Sequence, residues 1–193
     1  MKNLKFLLLI LFITHAGKSL SQDTLSKAHP YMKAGYGYIN DELMIGGDML
    51  CAETGIRLKN NYILSLNYKF GETTNNKGNF SYLGVSSAQL IYTTKIVTFF
   101  TDYDFRSKNG RHSFMPGLGV FYSKQNWERW HEDESANLLI DKDSWEDIGF
   151  AGEISYYYNF VNGISLGINC SAYLSTIMGP LYYTVSPVMK ISL

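Results

Sequence analysis

The chain has 193 residues, enough for one domain. Seventeen basic residues balance seventeen acidic ones, so no nucleic-acid partner is implied by charge. No apolar run reaches the ~18 residues a spanning helix needs, and no phosphate loop, dinucleotide fingerprint or Cys/His metal spacing calls for a cofactor.

The chain begins with a basic, then apolar stretch. Lys2 and Lys5 precede the short run Phe6–Ile13, and Ser19-Leu20-Ser21 supplies small residues for a cut. This is the pattern of a secretory signal. We expect a signal peptide over 1–21, a polar leader over 22–29, and one folded domain over 30–193.

Strand one is expected over Pro30–Ile39, with Met32, Ala34, Tyr36 and Tyr38 on one face and Lys33, Gly35 and Gly37 on the other. Strands two and three form a hairpin closed by Leu58 and Tyr62 around Lys59-Asn60-Asn61. One face pairs Ile56–Leu64, Thr54–Leu66, Ala52–Tyr68 and Leu50–Phe70. The other pairs Arg57–Ile63, Gly55–Ser65, Glu53–Asn67 and Cys51–Lys69. Strand four spans Ser86–Phe105. Its first half places Leu90, Tyr92, Thr94 and Ile96 outward and Lys95 inward. Its second half, paired with strand five by setting Arg106 against Arg111, places Val97, Phe99 and Tyr103 outward. The change of face near Ile96 implies a β-bulge.

Gln125–Glu146 is the longest stretch expected to be irregular. It holds Trp127, Trp130 and Trp145 and many acids. The clearest hairpin follows, over Ile148–Ser175. Phe160 and Ile164 close a three-residue loop whose third residue, Gly163, suits a left-handed conformation. Its outer pairs are apolar: Tyr158–Leu166, Tyr156–Ile168, Ile154–Cys170 and Phe150–Leu174. Its inner pairs set large residues against small ones, as in Tyr157–Gly167 and Ala151–Tyr173. Strand eight, Leu181–Leu193, has Tyr183, Val185, Pro187, Met189 and Ile191 outward and Thr184, Ser186 and Lys190 inward. Cys51 and Cys170 fall on opposite faces, so they are expected to stay reduced.

The count is eight strands, with short turns at 59–61, 107–110 and 161–163 and longer loops at 40–48, 71–84 and 125–146. An apolar outside, a polar packed inside and this alternation of turn lengths are the signature of a transmembrane β-barrel. A closed sheet also leaves no unpaired edge in lipid. The fold class is therefore all-β: an eight-stranded antiparallel up-and-down transmembrane β-barrel. A soluble periplasmic lipocalin-like binding protein would show the opposite facing.

On these grounds the chain resembles the small eight-stranded outer-membrane barrels of the OmpA-barrel, OmpX and OmpW type. The signal ending in SLSQ and the closing strand PVMKISL look like Bacteroidetes versions. The last strand matches the alternating assembly signal of such barrels, with Leu193 in place of a terminal aromatic. The resemblance implies residence in the outer membrane and contact with its lipid and lipopolysaccharide. It also implies handling by periplasmic chaperones and the barrel-assembly machinery, and a monomer.

Lys33, Glu53, Arg57, Lys69, Lys95, Asp102, Asp104, Glu153 and Lys190 are expected in the lumen. An eight-stranded barrel is just wide enough for side chains to fill, and buried charges must pair. A salt-bridged plug is the first reading, and a narrow channel in the OmpW manner the second. The three Trp residues suit a lipopolysaccharide interface or an extracellular or envelope protein partner. The acids between Trp127 and Asp147 match no EF-hand spacing. His112-Ser113 is the adjacent pair that enzymatic barrels would recruit, but the register puts it at the periplasmic turn, where an outer-leaflet substrate is absent. The expected role is non-enzymatic.

Overall fold

The computed structural model describes residues 29–41, 46–58, 60–75, 80–82, 85–87, 89–132, 138–160, 163–176 and 179–193. The expected signal peptide and most of the leader lie outside them. Eight long strands close a barrel: β1 (His29–Asp41), β2 (Gly46–Arg57), β3 (Tyr62–Asn75), β6 (Gln89–Tyr103), β8 (His112–Glu132), β9 (Leu138–Asn159), β10 (Ile164–Ser175) and β11 (Gly179–Ser192). Each pairs antiparallel with its sequence neighbour, and β1 pairs with β11 to close the sheet. A small hairpin of β4 (Phe80–Tyr82) and β5 (Val85–Ser87) stands between β3 and β6. The two-residue β7 (Phe105–Arg106) continues β6 past Asp104 along β8.

The two hairpins with three-residue loops adopt the expected registers. Leu58 N–H donates to Tyr62 O at 2.8 Å, and Phe160 N–H to Ile164 O at 2.9 Å. The turn residue is left-handed in both, Asn61 at φ 63° and Gly163 at φ 77°. Asn tolerates that region because its short polar side chain bonds locally. Ile56 faces Leu64, and Tyr156 faces Ile168. Tyr157 is fully buried, and a side chain at Gly167 would meet its ring at 2.7 Å. That close approach is why small residues sit opposite large ones inside.

Three expectations need correction. The hairpin of β6 and β8 closes at Ser107 and His112, where Ser107 N–H donates to His112 O at 2.9 Å. Phe100 therefore faces Gly119 rather than Gly117, and the ladder is displaced by two residues with the faces preserved. β6 also runs without a bulge at Ile96. Tyr92, Thr94 and Ile96 point inward, and Lys95 points outward. The register shift lies instead between Tyr173 and Leu174, on β10 against β11. Last, Gln125–Glu146 is mostly ladder: β8 and β9 stay paired from Ser123↔Asp147 up to Glu132↔Leu138.

The outside carries a belt of exposed apolar residues. On β9 it runs from Ile148 through Phe150 and Ile154 to Tyr156. That is the scale of the ~9–11 residues a tilted strand needs to cross a bilayer. Tyr62, Phe114, Phe160 and Tyr183 lie on the outer surface, while Tyr31 and Tyr92 turn inward. At the top of the belt the outward positions become charged on successive strands: Asp48, Glu72, Lys95, Lys124 and Glu146. This ring marks where lipid would give way to water, and it explains Lys95. The strand outruns the apolar belt, so its next outward residue is free to be charged.

Candidate functional site: a charged lumen and a tall outer hairpin

Eight of the nine expected luminal charges face inward, and Lys95 does not. The centre is Lys33 on β1. Its ammonium reaches Glu53 on the adjacent β2 at 2.6 Å and Glu153 across the lumen on β9 at 3.0 Å. Glu53 also accepts from the Tyr31 hydroxyl at 2.6 Å and the Asn67 amide at 2.7 Å. Glu153 accepts from Ser155 at 3.1 Å and Ser171 at 3.2 Å. Two buried carboxylates thus share one ammonium and gain two further donors each. Such satisfaction is what lets buried charge persist.

Lys69 is fully buried and held by oxygens rather than a carboxylate. Its ammonium donates to Ser171 at 2.7 Å and Thr184 at 2.9 Å, and lies 5.2 Å from the Tyr173 ring centre. Like Lys33, it spans the lumen, from β3 to β10 and β11. Nearer the short turns, Asp104 binds Arg57, accepts from Ser113, and meets Arg106 at 3.1 Å. Asp102 accepts from Ser65 at 3.5 Å.

Above this polar layer the lumen is apolar, which the sequence reading missed. Ile39, Met49, Ile96, Phe121, Tyr173 and Tyr182 are all buried there. Phe121 meets Tyr173 edge-on, with ring centres 5.3 Å apart. The signal for it in the sequence is the apolar half of β6, whose alternation fits a lipid-facing strand equally well. Cys51 is buried beside Ser186 and Cys170 is exposed, so the two thiols stay apart.

Lys95 stands outside, facing Lys124 across the β6–β8 ladder. Lys95→Met should therefore change unfolding free energy by no more than about 0.5 kcal/mol, as for other surface changes. A urea titration of the refolded barrel measures this. A loss of several kcal/mol would return Lys95 to the lumen.

The long hairpin is organised by cross-strand pairs. Its outer face carries Lys124–Glu146 at 3.1 Å and Lys142–Glu128 at 2.7 Å, and Arg129 pairs with Asp141 at 2.5 Å. The Lys124 ammonium and the Tyr122 hydroxyl hold the Glu146 carboxyl below the usual carboxylate range. Trp127 and Trp145 pack against buried Tyr92, so these two rings brace the sheet. Trp130 lies in the ladder opposite Ile140, and its side chain is outside the described residues. β10 ends at Ser175 opposite Gly149, so β9 above that level pairs only with β8 among the described residues.

His112 and Ser113 do not form a catalytic pair. Ser113 is buried and donates to Asp104, while His112 is exposed and hydrogen-bonds with Tyr156 at 2.7 Å. Adjacent strand residues point to opposite faces, so one looks into the lumen and the other away from it. Among the described residues no His, Cys, Asp and Glu side chains group as a metal site.

No protein-family model matches the chain, and no curated protein matches it in sequence. Solved structures do match in shape. A major outer membrane protein of Thermus thermophilus aligns with TM-score 0.62 and 11% identity, covering 86% of this chain and 99% of that one. OprG of Pseudomonas aeruginosa aligns with TM-score 0.57 and 9% identity over 85% and 96%. Ail of Yersinia pestis, solved with the heparin analogue sucrose octasulfate, aligns with TM-score 0.54 and 10% identity over 86% and 99%. Closure by β1 and β11, the outer apolar belt and these likenesses together give the chain the fold of the small eight-stranded outer-membrane β-barrels.

Proposed function

We propose that this chain is a non-enzymatic outer-membrane protein that holds the β8–β9 hairpin above the bilayer as a docking platform for a protein partner. The carrying observation is the ladder itself. It continues from Ser123↔Asp147 to Glu132↔Leu138 after β10 has ended, and leaves one edge of β9 without a strand neighbour among the described residues. Such an edge is a template for an added strand. Two of its amides are capped by the preceding aspartates: Ser144 N–H by Asp143 at 2.7 Å and Ile148 N–H by Asp147 at 2.6 Å.

Charge favours a basic, extended segment of a partner. Residues 123–147 hold Lys124, Arg129 and Lys142 against eight acids. That balance disfavours a sulfated polyanion of the kind bound to Ail in its solved complex. The layer around Phe121 and Tyr173, which is buried and closely packed, supports a platform over the second reading, a narrow channel.

Trypsin added to intact cells should cut at Arg129 or Lys142 and leave a protected barrel core. The protein should fractionate with the outer membrane and change gel mobility on boiling. Replacing residues 125–145 by Asn-Gly should preserve that mobility shift, because the barrel closes below the hairpin. A soluble periplasmic protein with no shift would overturn the membrane reading. A membrane-bound barrel whose hairpin resists trypsin on cells but yields it in opened cells would overturn the outward display.

A further inference from the structure

The end of the barrel that carries the short turns contains a recess of about 410 Å³. Arg57, Arg106, Lys190 and His29 line it together with Tyr31 and Ser165, and among the described residues no Asp or Glu does. Two of these groups have capacity to spare. Lys190 is buried, and its ammonium lies 3.6 Å from the Met115 sulfur and 4.1 Å from the Tyr157 ring centre. Neither is a carboxylate, and among the described residues no carboxylate lies within ion-pair distance of it. The Arg57 Nε is buried without a hydrogen-bond partner, its Nη2 being committed to Asp104.

The neighbouring charges do not resolve this excess. Asp104 already serves Arg57, Arg106 and Ser113, Glu53 already serves Lys33, Tyr31 and Asn67, and Asp102 acts on Lys190 only from beyond ion-pair distance. In the β1–β11 ladder Lys190 stands directly opposite Lys33, a second cation whose own ion pairs point to Glu53 and Glu153. A buried ammonium with only a thioether and aromatic faces for company is incompletely satisfied. A buried orphan N–H on a residue lining the same recess carries a similar cost. One acceptor-rich anion would answer both, since charge-assisted bonds to Arg and Lys are among the stronger hydrogen bonds.

We propose that this mouth is a binding site for a small oxyanion, of the phosphate or carboxylate class, held by Lys190 and Arg57 with Arg106 at the rim. The recess is open at the turns, so the ligand enters from the side opposite the long hairpin. Ser165 supplies a hydroxyl on the wall. The site lies at the other end of the barrel from the proposed docking edge, and the two readings fail separately.

The test is an amide-resolved NMR titration of the full chain refolded in detergent micelles. Inorganic phosphate and acetate are the probes, with sodium chloride holding ionic strength constant. Saturable shifts centred on the Ser165 and Ser192 amides are expected for at least one probe. Lys190→Met should weaken the better probe at least tenfold, while Lys95→Met, outside the barrel, should leave it unchanged. Arg106→Gln, at a half-exposed position, is the second variant should Lys190→Met not refold, and should weaken binding severalfold. Absence of saturable shifts with both anions overturns the site. So does a Lys190→Met barrel, or in its place an Arg106→Gln barrel, that titrates as the parent does.

Discussion

Replacing Lys33 by Met is expected to destabilise the barrel by about 3–5 kcal/mol, the range for removing one partner from a buried ion pair. The reason is what remains. Glu53 and Glu153 both lose an ammonium, at 2.6 and 3.0 Å, and stay buried near each other. Their residual donors, Tyr31, Asn67, Ser155 and Ser171, are neutral. The effect belongs to the unpaired carboxylates rather than to lost packing, because Met fills a similar volume. Changing Glu53 and Glu153 to Gln in the Lys33→Met background should therefore recover much of the loss. Equilibrium urea unfolding in lipid vesicles, followed by gel mobility, measures all of these. A Lys33→Met barrel within about 1 kcal/mol of the parent, well short of the buried-pair range, would show that water, not Lys33, screens the two acids.

The second large effect is on the outside. Ile168→Arg should cost about 2–4 kcal/mol if the exposed belt faces lipid near its midplane. Ile168 is exposed and sits between Tyr156 and Pro187 in the ladder, in the middle of β10. Leu66→Arg, exposed on β3 between Thr54 and Phe99, should behave alike. In water the same substitutions would be close to neutral, since an exposed Arg is readily hydrated. The experiment therefore separates a lipid-facing barrel from a soluble one. Unchanged stability of both variants in vesicles would mean that the belt does not contact lipid.

The two predictions probe opposite faces of the same strands, and together they describe how the molecule is built. Lipid contact stabilises an apolar exterior but gives the strands no means of fixing what lies within. The interior does that through Lys33 and Lys69, whose side chains cross the lumen and tie β1 to β9 and β3 to β10 and β11. The packed layer of Phe121, Tyr173 and Tyr182 then closes the other half. A barrel stiffened in this way can carry a tall sheet on one side without needing that sheet for closure.

The chain's own pattern determined much of this. Strand number and the registers over Asn61 and Gly163 were legible because they depend on neighbours in sequence. A three-residue loop fixes the first pair, and period-two alternation carries the register along both strands. The inward set of charges was legible too, wherever an apolar outer face contrasted with it. The reading failed where that contrast reversed. Tyr92 and Ile96 look lipid-facing, but the upper lumen is apolar, so the same alternation has the opposite sense and Lys95 emerges outside. The long hairpin was illegible because its outward residues face water: a strand polar on one face, with Trp and acids mixed on the other, shows no clear period. Only the closed barrel decided that Lys33 meets Glu153, 120 residues away, and that Lys190 and Arg57 share a recess that no Asp or Glu lines among the described residues. Those pairings depend on which strands stand across the lumen and at what height. Closure and register set that in three dimensions, and local sequence does not record it.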